Sequence, residues 1–111
     1  MSSEGGKKYD AGKPLLALLP IVALEEVGKV MTFGATKYAA YNWLGGLAYT
    51  RLLSAALRHI FAYLRGEDKD SESGLSHLAH AVCCLLMVLE FVVRGRKDLD
   101  DRYRPKTPEV L

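Results

Sequence analysis

Along the chain, stretches in which apolar residues return every three or four positions alternate with short stretches in which they do not. From Ile21 to Ala40, Leu24, Val27, Met31 and Tyr38 recur at helical spacing. Pro20 suits a first helical turn, and only Gly28 and Gly34 interrupt the run. "YNWLGGLAY" breaks the period around Gly45 and Gly46 and reads as a loop. Thr50 is then placed to cap a second helix of about four turns, which runs through Arg65 and is ended by Gly66.

After the acidic, serine-rich "EDKDSES", with Ser71 or Ser73 as the cap, a third helix carries the most regular stripe in the protein: Leu75, Leu78, Val82, Leu85, Leu89 and Val92. A second stripe, His77, His80, Cys84, Met87 and Phe91, lies about 100° away, so this helix is apolar nearly all round. Such a helix is expected to be central, buried against its own chain and against another. No segment shows the alternation of a strand, and the apolar runs are helix-length. The fold class that follows is all-α, three main helices in an antiparallel bundle whose core is completed by oligomerisation. Residues 1–13 read as a polar N-terminal segment, 14–95 as the helical domain and 96–111 as a charged tail that fades from a short helix into an extended or disordered arm.

Composition narrows the partners. Fifteen basic against thirteen acidic side chains give a formal charge of +2, too little for the global field to imply nucleic acid or membrane, and no direct DNA binding is expected. Cys83 and Cys84 are adjacent in a helical run, poorly placed to bridge each other, which favours a reducing compartment. "MSSEGGKKYDAGKP" has no apolar segment behind its lysines, so the protein is expected to stay in the cytoplasm. The uncharged run from Leu78 to Leu89 falls well short of the roughly 20 apolar residues a bilayer crossing needs.

The candidate chemistry sits around "RHIFAYLRGEDKDSESGLSHLAHA", which holds all three histidines. Antiparallel second and third helices would bring His59 to the height of His80, with His77 on the same face as His80. Three imidazoles near one level either bind a divalent metal or a phosphate, or are hydrogen-bonded core or interface histidines. Glu67, Asp68, Asp70 and Glu72 are hard oxygen ligands of the kind that hold magnesium or manganese against phosphates; equally, acidic turns are commonly just solvated.

On the first helix, Glu25 has Lys29 one turn on, whereas Glu26 lies on a stripe with Val22, Val30 and Phe33. A buried carboxylate needs a metal or a basic partner, which makes Glu26 the best single carboxylate for metal binding, unless the stripe is exposed there. Arg51, Arg58 and Arg65, seven residues apart, form a basic ridge that is either solvent-facing or a polyphosphate seat. Trp43 or Tyr38 could stack a base while Lys13 or Lys37 holds phosphate, but neither segment has the glycines of a Walker loop or a dinucleotide fold.

Taken together, "KYDAGKPLLALLP", "ALEEVGKVMTFGATKYAAYNW" and "RLLSAALRHIFAYLRGEDKDSESGLSHLAHAVCCLLMVLE" resemble a phage-associated family, the dATP/dGTP diphosphohydrolase N-terminal domain. The likeness runs from Lys8 to Glu90 and rests on G-A-x-K-Y, then N-W, then R-H and G-E-x-x-D-x-E-S-G-x-x-H-x-A-H. It implies a MazG-like all-α nucleoside triphosphate pyrophosphohydrolase that assembles from two or more chains and uses Mg2+ or Mn2+. The chain departs from the E-x-x-E plus E-x-x-D signature of MazG proteins: only Glu67 to Asp70 matches, and His77-x-x-His80 stands where acidic ligands are expected.

The expectation is therefore metal-dependent hydrolysis of purine deoxynucleoside triphosphates to monophosphate and pyrophosphate. Glu26, His59 and His80 are the candidate catalytic groups. Glu25, Glu26, Glu67, Asp70 and His77 are candidate metal ligands, and Lys13, Lys37, Tyr38, Asn42, Trp43 and Arg58 candidate substrate contacts. A homodimer or higher homo-oligomer through the third helix is expected. The alternatives are a nucleotide-sequestering phage protein without turnover, or a helical oligomerisation module. Since no catalytic domain follows in the sequence, activity is expected to be intrinsic or supplied in trans.

Overall fold

The computed structural model describes residues 5–105. Within them the protein is all-helical: α1 spans Ile21–Lys37, α2 Tyr49–Leu64 and α3 His77–Val93, with short 3-10 turns at Leu16–Leu18, Asn42–Gly45 and Lys97–Leu99. No strand forms among the described residues, and no described helix is long and apolar enough to cross a membrane. The last six residues of the expected C-terminal arm lie outside the described residues.

The central helix is α3, which packs against α2 along most of its length and against α1 on another side. At one end Tyr49 and Leu52, near the start of α2, meet Phe91 near the end of α3. At the other, His59 of α2 meets His77, the first residue of α3. The two helices are therefore antiparallel. Val27 and Val30 of α1 close on Ala79 and Cys83, with Met31, Leu75 and Met87 around them. Lys37, the last residue of α1, reaches Glu72 just before α3.

Several boundaries differ from the periodicity reading. α1 ends at Lys37, three residues before Ala40, because Ala39 (φ 150°) and Tyr41 (φ 62°) both leave the right-handed region and turn the chain into the Asn42–Gly45 turn. Thr50 lies inside α2 rather than before it. The helix N-terminus is satisfied from outside by Asp101, whose carboxylate accepts from the Thr50 backbone N–H (2.9 Å) and hydroxyl. Ser76, not Ser71 or Ser73, caps α3 by accepting from the Leu78 N–H (3.1 Å), so Leu75 belongs to the connection. Ser73 is instead drawn into the bend, where its hydroxyl accepts from the Leu75 N–H. Gly66 ends α2 at φ +97°, as expected.

Within the single chain, α3 divides its two apolar stripes unequally. Leu78, Val82, Leu85, Leu89 and Val92, the most regular stripe, are exposed in the single chain, Leu89 by 56%. The buried set is His77, Ala79, Ala81, Cys83 and Phe91. α2 and α1 hold the arcs where α3 is thinnest, and the large aliphatic side chains point away from both.

Candidate functional site

The connection between α2 and α3 is a tight, self-bonded corner. Asp70 accepts through one carboxylate oxygen from the backbone N–H groups of Glu72 (3.1 Å) and Ser73 (2.9 Å), an Asx-type turn. The Asp70 N–H donates to the Leu75 carbonyl and the His77 N–H to the Asp68 carbonyl. These bonds set the acidic residues against the first turn of α3.

On that frame the three histidines converge. His59 Nδ1 and His77 Nδ1 are 2.8 Å apart, and His77 Nε2 is 2.8 Å from Glu67 Oε2. His80 Nε2 is 2.7 Å from Ser73 Oγ, and its ring stacks on His59 with centroids 4.5 Å apart at 12°. The expected levelling of His59 with His80 is thus observed. His77 is only 4% exposed, yet both its nitrogens are partnered, so its burial leaves no polar atom unsatisfied.

Electrostatics favour neutral imidazoles beside an ionised carboxylate. Burial lowers the pKa of His59, and the neighbouring His80 and His77 lower it further; burial likewise lowers that of His80. Burial opposes ionisation of Asp70, but the hydrogen bonds from Ser73 and Glu72 and the nearby His80 outweigh it, holding the carboxyl below its usual range. One ligand atom from each of His59, Asp70 and His77 lies within 4.8 Å of the other two. Two imidazoles and a carboxylate so disposed fit a divalent ion. The His59 to His77 spacing also suits neighbouring ligands, since bonds of about 2.0–2.1 Å at right angles set donors about 2.8–3.0 Å apart.

The corner closes one end of a groove of about 1170 Å³, bounded by the C-terminal half of α1, the Tyr38–Trp43 segment, α2 and the Cys83, Cys84 and Met87 face of α3. Its size exceeds the several hundred Å³ (about 300–1,000) usual for small-molecule sites. Lys37, Tyr38, Asn42, Trp43, Arg51 and Arg58 line it together with His59, Asp70, Glu72 and His80. Basic and aromatic side chains therefore line the same cleft as the His and carboxylate corner.

Not every expected residue arrives there. Glu25 and Glu26 belong neither to the groove lining nor to the clustered donors. Glu26 is part-exposed and paired with Lys29 (2.7 Å), so the i,i+3 bond forms rather than the expected Glu25 to Lys29 bond, and its stripe is open to solvent there. Lys13 is exposed outside the groove lining. Glu67 reaches the corner as the hydrogen-bond partner of His77. Trp43 lines the groove but is part-buried, its ring tilted against Phe91 at 5.5 Å, and Lys37 is bound to Glu72 by both carboxylate oxygens.

Tyr41 and Ser73 were not singled out by their spacing as site residues. Tyr41 is 76% exposed, lines the groove and is held in the left-handed region, where a non-glycine residue carries strain. Two tyrosines three apart beside an Asn-Trp pair were the available signal, but dihedral strain leaves no trace in composition.

Fold and site together define a small all-α protein, three antiparallel helices that hold a histidine and carboxylate corner at the end of a basic, aromatic cleft. The chain belongs to the dATP/dGTP diphosphohydrolase N-terminal family, which matches residues 3–102. It is 39% identical over 97 residues to a dATP/dGTP diphosphohydrolase of Salmonella phage PMBT28, a match covering 87% of this chain and 33% of that protein. The chain thus spans about a third of the length of this curated relative. No solved structure matches it.

Proposed function

We propose that this chain hydrolyses purine deoxynucleoside triphosphates, dATP or dGTP, to the monophosphate and pyrophosphate in a divalent-metal-dependent reaction of phage nucleotide metabolism. The observation that carries the reading is one groove whose lining includes Lys37, Arg51 and Arg58 together with His59 and Asp70, which share a donor cluster with the buried His77 behind them. The name of the Salmonella phage relative, a dATP/dGTP diphosphohydrolase, supports it.

In this reading Arg58 and Arg51 grip phosphate oxygens through their guanidinium forks, and Lys37 joins them by exchanging Glu72 for phosphate. Tyr38 and Trp43 flank the base and Asn42 offers an amide to its edge. Water attacks the α-phosphorus, the bond to the bridging oxygen breaks, and pyrophosphate leaves. His80, whose pKa burial lowers and which is not one of the three clustered donors, is the base available to take the proton of that water. His59, Asp70 and His77 would hold Mg2+ or Mn2+, which supplies charge neutralisation on the phosphates. Asp70 takes the carboxylate role that spacing had assigned to Glu26. A second copy of the chain covers the exposed leucine stripe of α3, giving a homo-oligomer acting in the cytoplasm.

The test is incubation of the purified chain with each dNTP and Mg2+ or Mn2+, reading dNMP and pyrophosphate. Equimolar release that is lost in Asp70→Asn and retained in Glu26→Gln is expected. Release of inorganic phosphate instead of pyrophosphate, or tight nucleotide binding with no product in either metal, would sink the proposal.

A further inference from the structure

We infer that the α2 to α3 corner is a transition-metal site built from His59, Asp70 and His77, selective for ions of the manganese, cobalt and zinc type over magnesium, with Glu67 as the carboxylate that orients His77. This deepens the proposed function and rests on its reading of the corner as a metal site, while making a claim that does not need nucleotide or turnover.

Donor chemistry gives the selectivity. Magnesium is a hard ion bound through oxygen and retained water, whereas imidazole nitrogen suits first-row transition ions, whose affinities rise from manganese to cobalt and on toward copper and zinc. Two of the three converging donors here are imidazole nitrogens 2.8 Å apart. An all-carboxylate site of the E-x-x-E kind would discriminate less against magnesium.

Orientation is already provided. His77 donates from Nε2 to Glu67 Oε2, which leaves the lone pair of His77 Nδ1 facing His59, with Asp70 completing the donor cluster within 4.8 Å. A carboxylate behind an imidazole in this way fixes its tautomer and raises its basicity as a ligand. Without an ion, that Nδ1 lone pair accepts the His59 Nδ1 proton. Moving this proton to Nε2 of the same ring frees both Nδ1 atoms for one ion. Asp70 is prepared similarly: its Oδ2 is fixed by the Glu72 and Ser73 N–H groups, while its Oδ1 makes no hydrogen bond among the described residues. His77 is buried, and among the described residues its one charged partner within bonding distance is Glu67, so the donors are positioned by packing rather than by chance meeting on a mobile surface.

Titration of the nucleotide-free chain with Co2+, followed by visible absorption and calorimetry, tests this. One equivalent should bind with d–d bands, be displaced by Zn2+, and resist a hundredfold excess of Mg2+. Glu67→Gln should fold normally and weaken Co2+ binding about 10–100-fold. His59→Ala, at a part-buried position less demanding of the fold than His77, should abolish it, and Glu26→Gln should leave it unchanged. Absence of Co2+ binding, equal competition by Mg2+, or loss of binding only in Glu26→Gln would each overturn the inference. Co2+ binding by a chain that cleaves no nucleotide would refute the proposed function and leave this site standing. Turnover with Mg2+ in a chain that ignores Co2+ would do the reverse.

Discussion

Phe91 offers a test of how the groove is held open. It is the most deeply buried large side chain, 1% exposed, and lies against Tyr49 and Leu52 of α2, Trp43 of the groove rim and the guanidinium of Arg96. It does not line the groove itself. Burying a phenylalanine side chain stabilises by ~1.5–3 kcal/mol, and the cavity left on truncation brings Phe→Ala to about 3–5 kcal/mol. Against a total of ~5–15 kcal/mol for an ordinary domain, Phe91→Ala should remove a large part of the stability. Phe91→Leu keeps much of the volume but gives up the ring contact with Trp43, worth ~0.5–1.5 kcal/mol, and should cost about 1–2 kcal/mol. Trp43 is the only tryptophan in the chain, so its fluorescence reports this contact directly in a urea titration at fixed protein concentration, with far-ultraviolet circular dichroism as the second probe. Phe91→Leu should also weaken nucleotide binding through the displaced Trp43 rim. If Phe91→Ala unfolds within about 1 kcal/mol of the native chain with an unchanged m-value, the cluster is not the core that fixes the rim and the reasoning fails.

Four other outcomes are expected. Tyr41→Gly should stabilise the fold by about 1 kcal/mol by relieving its left-handed backbone, yet weaken nucleotide binding, whereas Tyr41→Phe should do neither. Gly46→Ala should destabilise by more than about 1 kcal/mol in thermal melts, because φ is +112° and the added Cβ would stand 3.0 Å from Arg96 Nη2 and 3.2 Å from a Leu99 methyl. Glu72→Gln should release Lys37 and tighten inorganic triphosphate binding, measured by calorimetry, with a steeper salt dependence than the native chain. Burial pushes the Cys83 thiol up to about 11, so it should resist iodoacetamide at pH 8 in the folded chain and react once urea unfolds it; rapid labelling of the native protein at Cys83 would contradict its burial.

Helix number, order and the His59 to His80 meeting were readable from apolar spacing because they depend only on period and on the short connection that forces α2 and α3 antiparallel. The end of α1 was not, since it is set by the dihedrals of Ala39 and Tyr41, residue types with no preference for positive φ. Nor was the cap of α3: three serines precede it within six residues, and only the Asx turn at Asp70 decides that Ser73 serves His80 while Ser76 caps. Glu26 looked costly to bury on its stripe, but α1 packs through Val27 and Val30, a seam narrow enough to leave Glu26 in reach of Lys29 and water.

Apolar spacing did not show which face of α3 its own chain covers, for a reason that also explains the site. Periodicity weights large aliphatic residues, and these mark whichever arc is most hydrophobic. Helices that approach closely need small side chains at the seam, and small residues are what these helices bury: Ala56 and Ala62 on α2, Ala81 on α3, and Ala79 and Cys83 where α3 meets α1. Close approach of α2 and α3 brings the His59 and His77 rings into hydrogen-bond contact, and it excludes water from His77. A buried imidazole in such a seam is tolerable only with both nitrogens satisfied, which Glu67 and His59 accomplish from opposite sides. The small buried residues of α2 and α3 are therefore part of the site's geometry: enlarging buried Ala62 or Ala81 is expected to disturb the packing of these helices and with it the spacing of the donors. That coupling ties the spacing of the corner to the packing of the core.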